Sequence, residues 1–199
     1  DELVLSNLKR LYPYTTDEEQ KNILNLIHSL TTFNHGSMLV IAEDAEAEVF
    51  RLSTLGTPIF PTLMTPNLLK QVSGIDGTVI IDPKGYCFGI GIILDGEANA
   101  RCTPSRGSRY NSGVRYVYSS QEHKRLAIIY SEDKTIDIVP KLRPLMSNTL
   151  IESNITQLEA ATLENYHKPR AWVDDNRFYF NTDQCLRVHT ALDRIENSE

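Results

Sequence analysis

The sequence predicts an α/β fold: a central mixed β-sheet of at least five strands flanked by helices, with extra helices at the N- and C-terminal ends. Three observations predict it. Short apolar, β-branched runs bounded by turn residues recur between positions 35 and 140, as in Met38-Leu39-Val40-Ile41 and Val79-Ile80-Ile81. Segments with helical apolar spacing alternate with these runs. Before position 35 and after position 140 the strand pattern fades. The expected organisation is an N-terminal helical segment over 1–34, an α/β domain over 35–140 and a C-terminal helical extension over 141–199 packing on it.

Taken in order, Leu3, Leu5, Leu8 and Leu11 mark a first short helix, which Pro13 ends. Thr16 followed by Asp17-Glu18-Glu19-Gln20 is a helix start with an acidic first turn, and Ile23, Leu24, Leu26, Ile27 and Leu30 form its apolar stripe. Asn34-His35-Gly36 breaks that helix, and Ser37 to Ala42 reads as the first central strand. Glu43 to Leu52 reads as a helix. Gly56 to Pro66 holds three prolines and is expected to be irregular. A short helix over Asn67 to Val72 leads into Asp76-Gly77 and a buried strand that Asp82-Pro83-Lys84-Gly85 turns back. The second arm of this hairpin runs from Tyr86 to Leu94. A loop from Arg101 to Arg106 precedes a helix from Ser108 to about Ser120, and strands follow over Arg125–Tyr130 and Thr135–Val139. Beyond Pro140, Ser147-Asn148 opens a helix from Thr149 to about Asn165, Pro169 to Asp174 holds the only Trp, and Asn181-Thr182-Asp183-Gln184 caps a last helix.

The 199 residues are 41% hydrophobic and 23% charged, an ordinary composition for a soluble domain. A net charge of −6 and a pI near 5.4 argue against a general nucleic-acid or membrane-surface binder. No apolar run approaches the ~20 residues of a membrane helix. With Asp rather than Met at position 1, the chain reads as a piece of a longer protein, so the lack of a leader bears on this stretch only. Cys87, Cys102 and Cys185 are odd in number and widely spaced, which points to a reducing, cytoplasmic setting rather than to disulfides or zinc. The five histidines form no metal-binding pair. A Rossmann fold would need a glycine fingerprint after the first strand, where the chain has Ala42-Glu43-Asp44. The glycines of Gly85-Tyr86-Cys87-Phe88-Gly89-Ile90-Gly91 sit inside a strand and serve close packing or close ligand approach.

Three polar clusters stand at the ends of apolar segments and are expected to meet in one nucleotide pocket. Asp76-Gly77-Thr78 opens a buried strand, where the glycine lets a ligand approach the backbone beside a carboxylate. Gly107-Ser108-Arg109-Tyr110-Asn111 sits at a helix start, a position suited to phosphate. Ser131-Glu132-Asp133 follows the strand ending in Tyr130. Each has a plainer alternative: a turn cap for Asp76, a surface helix arginine for Arg109, a strand-end turn for Ser131 and Glu132.

In their order and their placement on strand, helix start and strand end, these clusters resemble the diadenylate cyclase domain family, the nucleotide-binding domain at the N-terminus of the DNA-integrity scanning protein DisA. That family has Asp-Gly-Ala, then Gly-Thr-Arg-His-Arg, then Ser-Glu-Glu, and the resemblance covers roughly residues 35 to 140. It implies a domain that condenses two ATP into cyclic di-AMP with Mg2+ or Mn2+, as a face-to-face homodimer in which each 3′-hydroxyl attacks the other nucleotide's α-phosphate. It also implies roles. Asp76 would hold the metal and help deprotonate the hydroxyl, and Arg109 would pair with phosphate as the second catalytic residue. Gly77, Thr78, Gly107, Ser108, Asn111, Ser131 and Glu132 would line the nucleotide, and the main chain at Leu94 would read the adenine edge. The chain departs from the pattern at Thr78 for Ala, Ser108 for Thr, Tyr110 for His and Asn111 for the second Arg. These changes keep open a degenerate sensor that binds a nucleotide or cyclic dinucleotide and regulates a larger protein. Arg101, Arg106 and Arg115 lie near enough to replace the missing charge, although solvated surface positions are the ordinary place for them.

Overall fold

The computed structural model describes residues 1–144 and 146–197, so positions 145, 198 and 199 of the expected C-terminal extension lie outside the described residues. The chain divides into two compact units, Asp1–Pro144 and Leu145–Glu199.

The first unit begins with α1 (Glu2–Leu11) and α2 (Asp17–Leu30), then β1 (Ser37–Ala42), α3 (Ala45–Arg51) and β2 (Thr57–Leu63). It continues with α4 (Pro66–Val72), β3 (Thr78–Ile81), β4 (Tyr86–Ile92) and α5 (Ser108–Val117), and closes with β5 (Arg125–Tyr130) and β6 (Ile136–Val139). The strands form one six-stranded mixed sheet in the order β2-β4-β3-β1-β5-β6. β1 is central because every residue from Ser37 to Ala42 is apolar or small and buried. It runs parallel to β3 and antiparallel to β5.

Strand alternation sends β1 side chains to two cores. Leu39 and Ile41 meet Leu8, Ile23 and Leu30 of the N-terminal helices, while Met38, Val40 and Ala42 meet Val49 of α3 and Val114 of α5. The N-terminal helices thus share the core of the sheet. The start of α2 is a complete capping box: Thr16 accepts from the Glu19 N–H and the Glu19 carboxylate accepts from the Thr16 N–H.

The proline-rich stretch after Gly56, expected to be irregular, is the edge strand β2. Pro58 and Pro61 are tolerated because an edge strand leaves one row of backbone groups unpaired, and the ladder with β4 slips between Pro58 and Thr62. Phe60 on this strand is 90% exposed.

In the second unit, α6 (Asn148–Glu159), α7 (His167–Asn176) and α8 (Thr182–Glu196) enclose a small core of Leu158, Val173, Ala191 and Ile195. α6 stops at Glu159, short of the expected Asn165, because the Asn165 carboxamide turns back to accept the Thr162 N–H. Asn181 and Gln184 form the expected cap of α8. Arg187 of α8 pairs with both Glu152 and Glu159 of α6 and holds the Glu159 carboxyl below the usual carboxylate range.

Candidate functional site

The sheet register decides where the polar clusters meet. One row of paired residues crosses four strands: Thr78 of β3 stands beside Met38 of β1, Met38 beside Ile129 of β5, and Ile129 beside Asp137 of β6. Residues paired in this way share one face of the sheet, and adjacent strands lie about 5 Å apart, so Thr78 and Asp137 are separated by roughly 14 Å along it. That face is covered by α5, whose Gly113 lets the helix settle onto Met38, Ile129 and Ala127. Just outside the row lie Asp76-Gly77 before β3, His35-Gly36 before β1, Ser131 after β5 and the start of α5. Asp76-Gly77-Thr78, Gly107-Ser108-Arg109 and Ser131-Glu132 therefore gather at one end of the sheet.

Two of the three clusters line a single cleft of about 600 Å³, with Gly107, Ser108, Arg109 and Tyr110 on the helix side and Ser131, Glu132 and Asp133 on the strand side. Gly107 is the N-cap of α5 and offers no side chain to its first-turn N–H groups, which leaves them available to an anion. Arg109 crosses toward β1. A Cβ on Gly36 would lie 2.5 Å from its guanidinium, so the glycine makes room for it. Its Nη1 is 3.8 Å from the Glu132 carboxylate, an ion pair without hydrogen-bond contact. The Ser131 N–H donates to the Thr135 carbonyl, which fixes the turn. Asp133 accepts from both the hydroxyl and the N–H of Thr135, and these bonds hold its carboxyl below the usual range.

Asp76, Gly77 and Thr78 stand beside this cleft rather than in its wall. Asp76 is exposed, and its Oδ1 accepts the Gly77 N–H at 3.0 Å. Gly77 has φ +115°, and a Cβ there would sit 2.4 Å from the Gly91 carbonyl carbon, so both the backbone conformation and the contact require glycine. Thr78 is 1% exposed, and its hydroxyl has no hydrogen-bond partner among the described residues. Leu94, just beyond β4, is buried in the α3/α5 core, two residues after the Ile92 that pairs with Thr78. Asn111 turns away from the cleft and bonds to the backbone of the preceding loop.

Sequence reasoning missed Gly36 and Asp137 and left Arg106 on the solvated surface. Arg106 lines the cleft, pairs with Asp137 and stacks over the Tyr110 ring at 4.5 Å. A signal existed for Asp137: it interrupts Ile136-Asp137-Ile138-Val139, and alternation puts it on the face opposite the two isoleucines.

No family model and no curated protein matches this sequence. Among solved structures, DacA from Staphylococcus aureus, in a double-mutant form, matches with a TM-score of 0.51 and 19% identity over 71% of this chain and 97% of that one. The fold is the diadenylate cyclase fold. A looser likeness, with a TM-score of 0.47 and 19% identity over 61% of this chain and 59% of that one, is to a hypothetical membrane spanning protein from Bacillus cereus. Among the described residues no helix is long and apolar enough to cross a membrane. Among the described residues no three His, Cys, Asp or Glu side chains converge as a self-sufficient metal site. A single exposed carboxylate such as that of Asp76 would fit only a cation whose other ligands come from elsewhere, as Mg2+ is commonly held by one or two carboxylates and phosphate oxygens.

Proposed function

We propose that this domain binds an adenine nucleotide, ATP or cyclic di-AMP, across the end of the sheet, and condenses two ATP into cyclic di-AMP. The observation that carries this reading is the cleft in which Ser108 and Arg109 face Ser131 and Glu132, beside Asp76-Gly77-Thr78, on a diadenylate cyclase fold. Arg109 and the first turn of α5 take phosphate oxygens through charge-assisted bonds, and the Ser108 hydroxyl adds a donor. Asp76 accepts the proton of the 3′-hydroxyl as that oxygen bonds to the facing nucleotide's α-phosphorus and pyrophosphate leaves. A divalent ion, Mg2+ or Mn2+, would be held by Asp76 and would neutralise phosphate charge. The backbone beyond β4 at Leu94 reads the adenine edge, and Gly77, packed against Gly91, sets the turn that carries Asp76 and Thr78 beside the nucleotide. Two copies face each other, since each supplies half of the product.

A second reading, a non-catalytic nucleotide sensor in the cytoplasm, is favoured by one observation: Asn111 is committed to its own loop and brings no charge to the cleft. Calorimetric titration with ATP, AMP and cyclic di-AMP tests what both readings share. Binding of at least one is expected, and folded protein that binds none of them rejects both. Product formation from ATP then separates enzyme from sensor.

A further inference from the structure

The side chain of Asn111 has an unusual set of partners. Its Oδ1 accepts the Thr103 N–H at 3.0 Å, and its Nδ2 donates to the carbonyls of Thr103, Arg106 and Gly107 at 3.0, 3.0 and 3.3 Å. A carboxamide has two N–H donors and one carbonyl oxygen. Here both ends are spent on backbone groups between 103 and 107. Asn111 is therefore a clamp that pins this loop against the first turn of α5, and it holds the carbonyl of Arg106 directly.

A pinned backbone presents its side chain in a fixed direction. The Arg106 guanidinium lies over the Tyr110 ring at 4.5 Å, and its Nη2 pairs with Asp137 across the cleft. The aromatic face sets the plane of the fork, as it does wherever arginine stacks. Arg106 and Asp137 remain 41% and 23% exposed, so their pairing is partly solvated and individually weak. A phosphate group carries more charge than a carboxylate and matches the guanidinium fork equally well. The cleft thus holds two guanidinium groups, Arg109 and Arg106, and the second rests on a carboxylate that a polyphosphate can outcompete.

We infer that Arg106 is the second phosphate-binding cation of the cleft, delivered by the Asn111 clamp, and that Asp137 is its resting counter-ion, displaced when the polyphosphate of a nucleoside triphosphate enters. The inference rests on the nucleotide reading of this cleft. Its signature is a difference in sign. Arg106 attracts the ligand. Asp137 competes for Arg106 and repels the phosphates. Fold damage from breaking the pair would instead push both variants the same way.

The experiment is calorimetric titration of the full 199-residue chain with ATP and, separately, with inorganic tripolyphosphate. Arg106→Gln is expected to weaken both ligands by roughly tenfold or more, the range of a lost charge-assisted bond. Asp137→Asn is expected to tighten both. Asn111→Ala is expected to weaken both, and to lose most of that effect in an Arg106→Gln background, because Arg106 is the charged group that the clamp delivers. An Arg106→Gln affinity within about twofold of the wild type overturns the inference, as does weakening by Asp137→Asn. Wild type that takes tripolyphosphate but not ATP, with the Arg106 and Asp137 signs intact, keeps the inference and rejects ATP as the ligand. Wild type that takes neither ligand rejects the inference, and the adenine reading then stands or falls on the cyclic di-AMP and AMP titrations.

Discussion

Asp76→Asn is expected to abolish cyclic di-AMP formation from ATP while leaving the melting temperature within a few degrees of the wild type. The two halves of this result have separate causes. Asp76 is exposed, and among the described residues its side chain accepts one hydrogen bond, from the Gly77 N–H, which an asparagine oxygen accepts equally well. Substitutions at such positions usually change stability by less than about 0.5 kcal/mol. What asparagine cannot supply is negative charge or a site for the 3′-hydroxyl proton. A positioned general base alone is worth about 10²–10⁴ in rate. The assay is chromatography of the product with Mg2+ and Mn2+ tested separately, wild type first. Equal turnover by the variant removes Asp76 from the chemistry, and a wild type that binds nucleotide without turnover makes the domain a sensor.

The largest expected loss of stability lies at Arg125, at the opposite end of β5 from Ser131. Its side chain is 6% exposed, and those of Asp44 and Glu48 are 8% and 9% exposed. The guanidinium donates from Nε to Asp44 at 3.2 Å and reaches Glu48 at 3.3 Å. It also donates to Ser119 Oγ at 3.2 Å and covers the Tyr116 ring at 4.5 Å. Arg125→Met would leave the buried Asp44 carboxylate without its cation, while Glu48 keeps its bidentate pair with Arg51 at 2.8 Å. Breaking a buried pair from one side typically costs about 3–5 kcal/mol, a large share of the stability of a domain. Urea denaturation should show that loss. Adding Asp44→Asn should recover part of it, because the penalty comes from the stranded charge rather than from a missing attraction. A loss below about 1 kcal/mol for Arg125→Met would show the network to be as weak as a surface ion pair.

Most of the sheet was legible because strand burial is written locally. Ser37 to Ala42 reads as a central strand on composition alone, and the strand has those bounds. β2 was not legible. Prolines argue against a strand unless it lies at an edge, and edge position is a property of the whole sheet rather than of residues 57–63. The site divides in the same way. Ser108, Arg109, Ser131 and Glu132 each sit where a chain element ends, and these ends do meet. Asn111 and Arg106 were harder, because their partners lie elsewhere. Asn111 bonds to backbone groups that any residue would carry, and Arg106 pairs with Asp137, on a strand that only the fold brings near. Sequence shows that an arginine is present; it does not show which carboxylate holds it.

The prolines of β2 have a consequence for how copies of this domain can associate. A β-sheet grows by lending unpaired N–H and C=O groups to an incoming strand, and an open apolar margin invites runaway stacking. Pro58 and Pro61 remove two backbone donors from β2, and the slipped ladder between Pro58 and Thr62 twists the strand. Phe60, 90% exposed there, would otherwise be a sticky point on a ready template. The ribbon is thus blunted along that side, and a fibre extended edge to edge through β2 is blocked. Of the two sheet edges, β2 and β6, the β2 side is thus closed to a further strand, while the cleft opens elsewhere, at the ends of the strands.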